Sequence, residues 1–448
     1  MKKNLFTLLS VLVLTSLVLS ACGPAATPAP APAPTQPPAA QPTQAPAAQP
    51  TQAPAPTKAP EPTKAPAAVK LTLWTKEASN QLDKLKGIVN DFQTKNPGIT
   101  VEVVNYDVEK LRENFQTSML ANQGPDLLWT VNDHAGPFTK AGLIQPVDGL
   151  GWDLKSFMPG ALEAVKLDGK AWGIPLSYGN NLMLLYNKNM VKDPPKDTDA
   201  LIKVSKDLAA SGKQGFAYNL NEPFWLVPWL GGFGGKVFDD TGKKPTLNTD
   251  AMKKTLQFVQ DLKFKDQIVP KECDYGCADT LFKDGKAAMI INGDWSLGDY
   301  TTVTATKTID LGTAPIPQIT GADWPKPYTA GTYIMFPVSL KGDKLEAAKK
   351  LVNYFSSADV QISWVKSDKR LPGVAKLYTD KLITDDPILK GSSADLANGT
   401  GMPPQAEMRC VWDAMRPNLE AVMANKMTPA DAAAAMQTAA DKCVAELK

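Results

Sequence analysis

The side chains best suited to chemistry in this chain are flat aromatics and carboxylates at the ends of apolar runs. Trp295 follows Asn292-Gly293-Asp294, where the apolar stretch Ala287–Ile291 ends and turns. Glu222 stands just ahead of Pro223 and the aromatic pair Phe224 and Trp225. Trp412 lies in Arg409-Cys410-Val411-Trp412-Asp413-Ala414-Met415-Arg416, near the start of a late helix. Asp133 and His134 follow the short apolar run Asp126–Trp129, and Lys76 and Glu77 follow the alternating run Lys70–Thr75. Both runs read as strands, and open α/β sheets bind ligands beyond the carboxyl ends of their strands. Aromatic faces stack on the C–H faces of a ring, and a carboxylate accepts strong charge-assisted bonds from hydroxyls. A sugar presents both surfaces, so residues of these types suit a carbohydrate cleft.

The common catalytic signatures are missing. There is no Gly-x-Ser-x-Gly, no His-Glu-x-x-His and no phosphate loop. The cluster Gly231-Gly232-Phe233-Gly234-Gly235-Lys236 lacks the phosphate-loop spacing and its Ser/Thr, and reads as a tight turn. With His134 the only histidine, neither a metal nor a cofactor is expected. Three rival readings remain, one of them a purely structural adhesin or surface module with no small-molecule ligand. Asp133 and Glu222 could form the carboxylate pair of a glycosidase. A peptide or amino-acid binder would want an arginine clamp, for which Arg409 and Arg416 lie near Trp412, with Arg112 and Arg370 elsewhere.

The ends of the chain indicate export. Lys2 and Lys3 precede the apolar run Leu5–Leu19, too short for a spanning helix, and Leu19-Ser20-Ala21-Cys22-Gly23 follows. Residues 1–21 read as a signal peptide and, with Cys22, resemble the bacterial lipoprotein signal, which implies that the Cys22 thiol carries lipid. Its acyl chains would hold the protein to a membrane. The formal net charge is +2 and residues 1–21 carry only Lys2 and Lys3, so the mature chain is near neutral. Neutrality argues against nucleic acid. Residues 22–68 are rich in Pro, Ala, Thr and Gln and read as a disordered or polyproline tether. At roughly 3.1 Å per residue it would reach on the order of 100 Å.

The remaining length, from 69 to 448, suits two cores. Lys70–Thr75 alternates as a strand, Leu82–Phe92 is apolar at helical spacing, and Ile99–Val104 is strand-like after Asn96-Pro97-Gly98. Strand, helix, strand predicts a parallel unit and an α/β class. A further helix is expected over Leu111–Ala121 and another around Thr280–Phe282. Besides Cys22 there are four cysteines, which allow three pairings. The favoured one closes Cys273–Cys277 as a tight loop and staples two C-terminal helices through Cys410–Cys443.

Several stretches, in order, resemble the solute-binding proteins of sugar ABC transporters, and most of all the maltose/maltodextrin binders. They include Gly124-Pro125-Asp126-Leu127-Leu128, Ala141-Gly142-Leu143-Ile144 and Gly169-Lys170-Ala171-Trp172-Gly173-Ile174-Pro175. Leu185-Tyr186-Asn187-Lys188, Tyr218-Asn219-Leu220-Asn221-Glu222-Pro223 and Ile291-Asn292-Gly293-Asp294-Trp295 continue the series. The resemblance implies a two-lobe periplasmic-binding-protein-like fold, each lobe an open sheet flanked by helices, joined by a hinge that closes on ligand. Lobe 1 would be 69–177 plus 334–380, and lobe 2 would be 178–333 plus 381–448. It implies a non-enzymatic monomer outside the cytoplasm that hands a carbohydrate to ABC permease subunits. By the same resemblance Trp295 and Trp412 stack on sugar, Glu222 and Asp133 accept hydroxyls, and Phe224, Trp225, His134, Lys76 and Glu77 complete the site. The chain departs from the family pattern in places. His134 replaces an arginine, Thr130 a tryptophan, Phe224 a common tyrosine, Ala78-Ser79 an Asp-Lys pair, and Gly179-Asn180-Asn181 an acidic hinge residue.

Overall fold

The computed structural model describes residues 68–305 and 308–447. The signal segment 1–21, Cys22 and nearly all of the Pro-rich tether lie outside the described residues.

The first sheet begins with the strand Val69–Thr75, whose Leu71 and Leu73 are fully buried. It pairs in parallel with Ile99–Asn105, Val69 opposite Ile99, and with Leu127–Val131 on its other side. The connecting helix Ser79–Lys95 buries Leu85, Ile88, Val89 and Phe92, the i, i+3, i+4, i+7 stripe of an amphipathic helix. That helix covers one face of the sheet together with Gly342–Phe355. The helix Val108–Leu120 covers the other face through Leu111 and Phe115. The strand Thr332–Pro337 joins antiparallel to Leu127–Val131. Thr332 already pairs with Val131, so the first sheet takes in residues ahead of the expected boundary at 334.

The second sheet has the order Leu311–Ala314, Leu182–Asn187, Ala287–Gly293, Gln214–Ala217. Leu182–Asn187 and Ala287–Gly293 are buried throughout, as expected for strands covered on both faces. Their helices start at side-chain caps: Asp197 accepts from Ala200 N at 2.8 Å, Thr249 from Met252 N at 3.2 Å and Asp274 from Cys277 N at 2.9 Å. The glycine cluster is not simply a turn. Gly231 and Gly232 form the last turn of the helix Pro223–Gly232. A Cβ there would come within 2.6 Å of Lys326 or Ile319, so close packing demands glycine.

The chain passes between the sheets three times, and the passages run side by side. Ser177 bridges Pro372, and Gly179 bridges Ala330. A Cβ on Gly331 would lie 2.1 Å from the Ser177 carbonyl oxygen, and one on Gly373 would lie 2.4 Å from that of Pro175. Glycine lets the three backbones touch there.

The cysteines join as Cys273–Cys277 and Cys410–Cys443. The second bond ties the helix Glu407–Met423 to Pro429–Glu446 across 33 residues of sequence. Replacing both Cys410 and Cys443 with Ser is expected to cost about 3 kcal/mol of unfolding free energy by releasing that loop in the unfolded chain. Denaturant unfolding of the oxidised and variant proteins checks it.

Candidate ligand-binding site

A cavity of about 550 Å³ lies between the sheets, within the range of small-molecule sites. Lys76, Glu77 and Asp133 line it from the carboxyl ends of the first sheet's parallel strands, as the open-sheet rule anticipates. Val108 and Glu109 line it from the start of their helix. The second sheet's side supplies Glu222, Phe224, Trp225, Tyr275, Trp295, Trp412 and Arg416.

The aromatic wall centres on Phe224. Its ring centroid is 6.1 Å from that of Trp295, 6.3 Å from Tyr328 and 6.4 Å from Trp412, and Trp225 lies 5.9 Å away. Each indole N–H is anchored to a protein acceptor. Trp295 donates to Tyr275 Oη at 3.2 Å, Trp225 to the Ile291 carbonyl at 2.8 Å and Trp412 to Asp133 Oδ2 at 3.1 Å. Trp225 is nearly enclosed and serves as the backing for Trp295 and Tyr275, whose ring centroids lie 5.9 and 5.8 Å from its own.

The carboxylates differ in how far they are already satisfied. Asp133 keeps Oδ2 on Trp412, while its Oδ1 is buried with no hydrogen-bond partner. Burial pushes its pKa up to about 6 against that hydrogen bond. Glu222 caps the helix Pro223–Gly232 and is ion-paired with Arg416. Glu77 receives Arg370 through both oxygens at 2.9 and 3.0 Å, Trp129 Nε1 at 2.7 Å and Lys76 at 3.3 Å. Burial alone would raise its pKa, but Arg370 and Lys76 hold it well below the usual carboxylate range. Both oxygens of Glu77 are thus engaged by protein partners, three on Oε1 and one on Oε2. Asp294 is pushed up to about 6 by burial, opposed by Arg370 and Lys76.

His134 departs from expectation and does not line the cavity. Asp133 and His134 sit in the 3-10 turn Asn132–His134, and the histidine is buried on the far side. Its Nδ1 shares a 2.8 Å hydrogen bond with Thr130 Oγ1, and its ring meets Phe138 at 5.5 Å. Burial pushes its pKa down to about 3, so it is a neutral core residue. The sequence reading also passed over Tyr275, Asp279 and Lys283, although their i, i+4, i+8 spacing on the helix Tyr275–Lys283 puts them on one face. Arg370 lies 293 residues from Glu77, and nothing local in the sequence signals their pairing.

Among the described residues, no group of three or more His, Cys, Asp or Glu side chains could hold a metal ion. No described helix is long and apolar enough to cross a membrane.

Two open sheets, three adjoining passages and a cavity between them define a two-lobed, periplasmic-binding-protein-like fold. Residues 87–391 match the family described as bacterial extracellular solute-binding protein, and the chain belongs to that family. The maltose/maltodextrin-binding domain of Bdellovibrio bacteriovorus, solved with maltotriose, is 35% identical. It superposes with a TM-score of 0.80 over 84% of this chain and 100% of that one. The maltotriose-binding protein of Pyrococcus abyssi is 28% identical over 79% of this chain and 77% of its own length. A maltooligosaccharide ABC transporter solute-binding lipoprotein of Streptococcus pneumoniae is 24% identical, over 71% of this chain and 76% of its own.

Two substitutions test this electrostatic layout. Arg370→Gln strands the buried Glu77 carboxylate and is expected to destabilise the protein by about 3–5 kcal/mol in denaturant unfolding. Asp133→Asn keeps an acceptor for Trp412 and removes a buried charge. It is expected to stabilise the ligand-free protein at pH 7 by about 1–3 kcal/mol. A carboxyl titrating near 6 when folded and near 4 when unfolded holds an extra proton in the folded state between those values. Its contribution to stability therefore falls as pH rises from 4 to 6. Asp133→Asn should flatten that part of the stability–pH curve.

Proposed function

We propose that this chain is the substrate-binding component of an ABC importer, capturing a malto-oligosaccharide or a related carbohydrate between its lobes without chemical turnover. The observation that carries this reading is the pairing of an aromatic wall with the unpartnered, buried Oδ1 of Asp133. The wall suits the C–H faces of sugar rings, and Asp133 gains a hydroxyl donor when a sugar enters. The names of the Pyrococcus and Streptococcus relatives and the maltotriose in the Bdellovibrio structure point to the same ligand class.

In this reading Trp295, Phe224 and Trp412 stack, Asp133 and Glu222 accept hydroxyls, and Lys76 and Arg416 donate. The side-by-side passages at Ser177, Ala330 and Pro372 act as the hinge, and Cys22 carries the lipid that holds the protein outside the cell membrane. Arg416 is already ion-paired with Glu222, which disfavours the clamp an amino-acid ligand needs. The same pairing ties Glu222 down, which disfavours a glycosidase couple with Asp133.

Titration of the soluble domain with maltotriose, followed by tryptophan fluorescence, should give a saturable change, and the sugar should be recovered uncleaved. Trp295→Ala is expected to weaken binding by about 2 kcal/mol, roughly 30-fold. Glu222→Gln should weaken it less. A saturable response to dipeptides with none to sugars would overturn the reading.

A further inference from the structure

The two lobes are bonded to one another at the rim of the cavity by side chains on opposite sides of it. Glu109 lies in the first turn of the helix Val108–Leu120, on the side of the first sheet. Arg409 lies in the first turn of Glu407–Met423, a helix that packs with the second sheet's core. The two side chains form an ion pair across 300 residues of sequence. Each is also held from behind. Arg112 Nε reaches Glu109 Oε2 at 3.3 Å, and Arg409 Nε donates to Asp413 Oδ2 at 2.9 Å. Charges thus alternate along Arg112, Glu109, Arg409 and Asp413 from one lobe to the other. Elsewhere on the rim, Asn80 Nδ2 donates to Asp299 Oδ1 at 3.0 Å and Gln81 Nε2 to the Trp295 carbonyl at 3.3 Å.

We infer that Glu109 and Arg409 form a closure latch, which sets how long a ligand stays trapped. The inference rests on the sugar-trap reading and deepens it. A bond between lobes exists only when they are together, so it stabilises the closed state alone and shifts the opening equilibrium. An exposed ion pair normally contributes little, because two long side chains must be ordered to make it. Here Arg112 and Asp413 have already ordered them. The latch is charged, so salt weakens it, whereas the Asn80–Asp299 contact keeps one neutral partner. Arg409 precedes Trp412 and Arg416 on one helical face, so the latch also holds the stacking tryptophan over Asp133.

The latch predicts a particular kinetic pattern. Stopped-flow tryptophan fluorescence with maltotriose would compare the wild-type protein with Glu109→Gln, Arg409→Gln and the double variant. Each single change should raise the dissociation rate about three- to fivefold and leave association nearly unchanged. The double variant should match the singles, because either change removes the same bond. Raising the salt concentration should speed release from the wild-type protein and barely affect the double variant. Arg409 does not line the cavity, so its variant separates the latch from a direct contact of Glu109 with sugar. Near-UV circular dichroism checks that each variant is folded, and Arg409→Lys, which keeps the charge, should fall between Gln and wild type. Unchanged release in Arg409→Gln, or strictly additive effects, would overturn the latch while leaving sugar binding intact. Absence of maltotriose binding by the wild-type protein would instead overturn the reading on which the latch rests.

Discussion

Glu77 and Arg370 are two opposite charges held almost entirely out of water, and the cleft is organised around them. Glu77 ends the turn after the first strand, and Arg370 opens the third passage between lobes. Their two-oxygen pairing therefore joins the cavity floor to the third passage between the sheets. Removing either charge from water is costly, and only a well-formed pair with further hydrogen bonds repays it. Trp129 and Lys76 supply those bonds. The positive side chains around this pair also oppose the rise in the pKa of Asp294, placing a second buried carboxyl where the second sheet meets the passages.

Around that floor the cavity divides its work. Apolar faces come from Phe224, Trp295 and Trp412, whose N–H groups are spent on protein acceptors where they have them. Polar capacity is left at a few atoms, most plainly Asp133 Oδ1. A buried acceptor without a donor costs stability. Polar contacts also cross the cleft, Trp412 with Asp133 and Arg409 with Glu109.

Much of this was legible along the chain. The parallel strand–helix–strand unit followed from alternation and helical spacing, and its strands and helix lie within a few residues of the expected places. Trp295, Trp412, Phe224, Glu222 and Asp133 stand out by type, by position at element ends and by the resemblance to the maltose binders, and all line one cavity. His134 shows the limit of that reasoning. Adjacent residues in a tight turn face opposite ways, and type and position do not say which side faces the cleft. Glu77 was rightly placed at a strand end, yet its partner decides its role, and that partner is distant in sequence.

The division follows from the range of the forces. Periodicity, caps, turn residues and the apolar content of strands are local, so the sequence by itself determined the α/β class, the main elements and the residue types gathered at their ends. Burial and pairing depend on which elements meet. Only the tertiary structure decided that Glu77 is paired with Arg370, that Asp133 Oδ1 is buried without a partner, that His134 is core, and that Glu109 and Arg409 face each other across the cleft. Each of those outcomes depends on a desolvated or paired charge, and desolvation is a property of the assembled fold rather than of any segment.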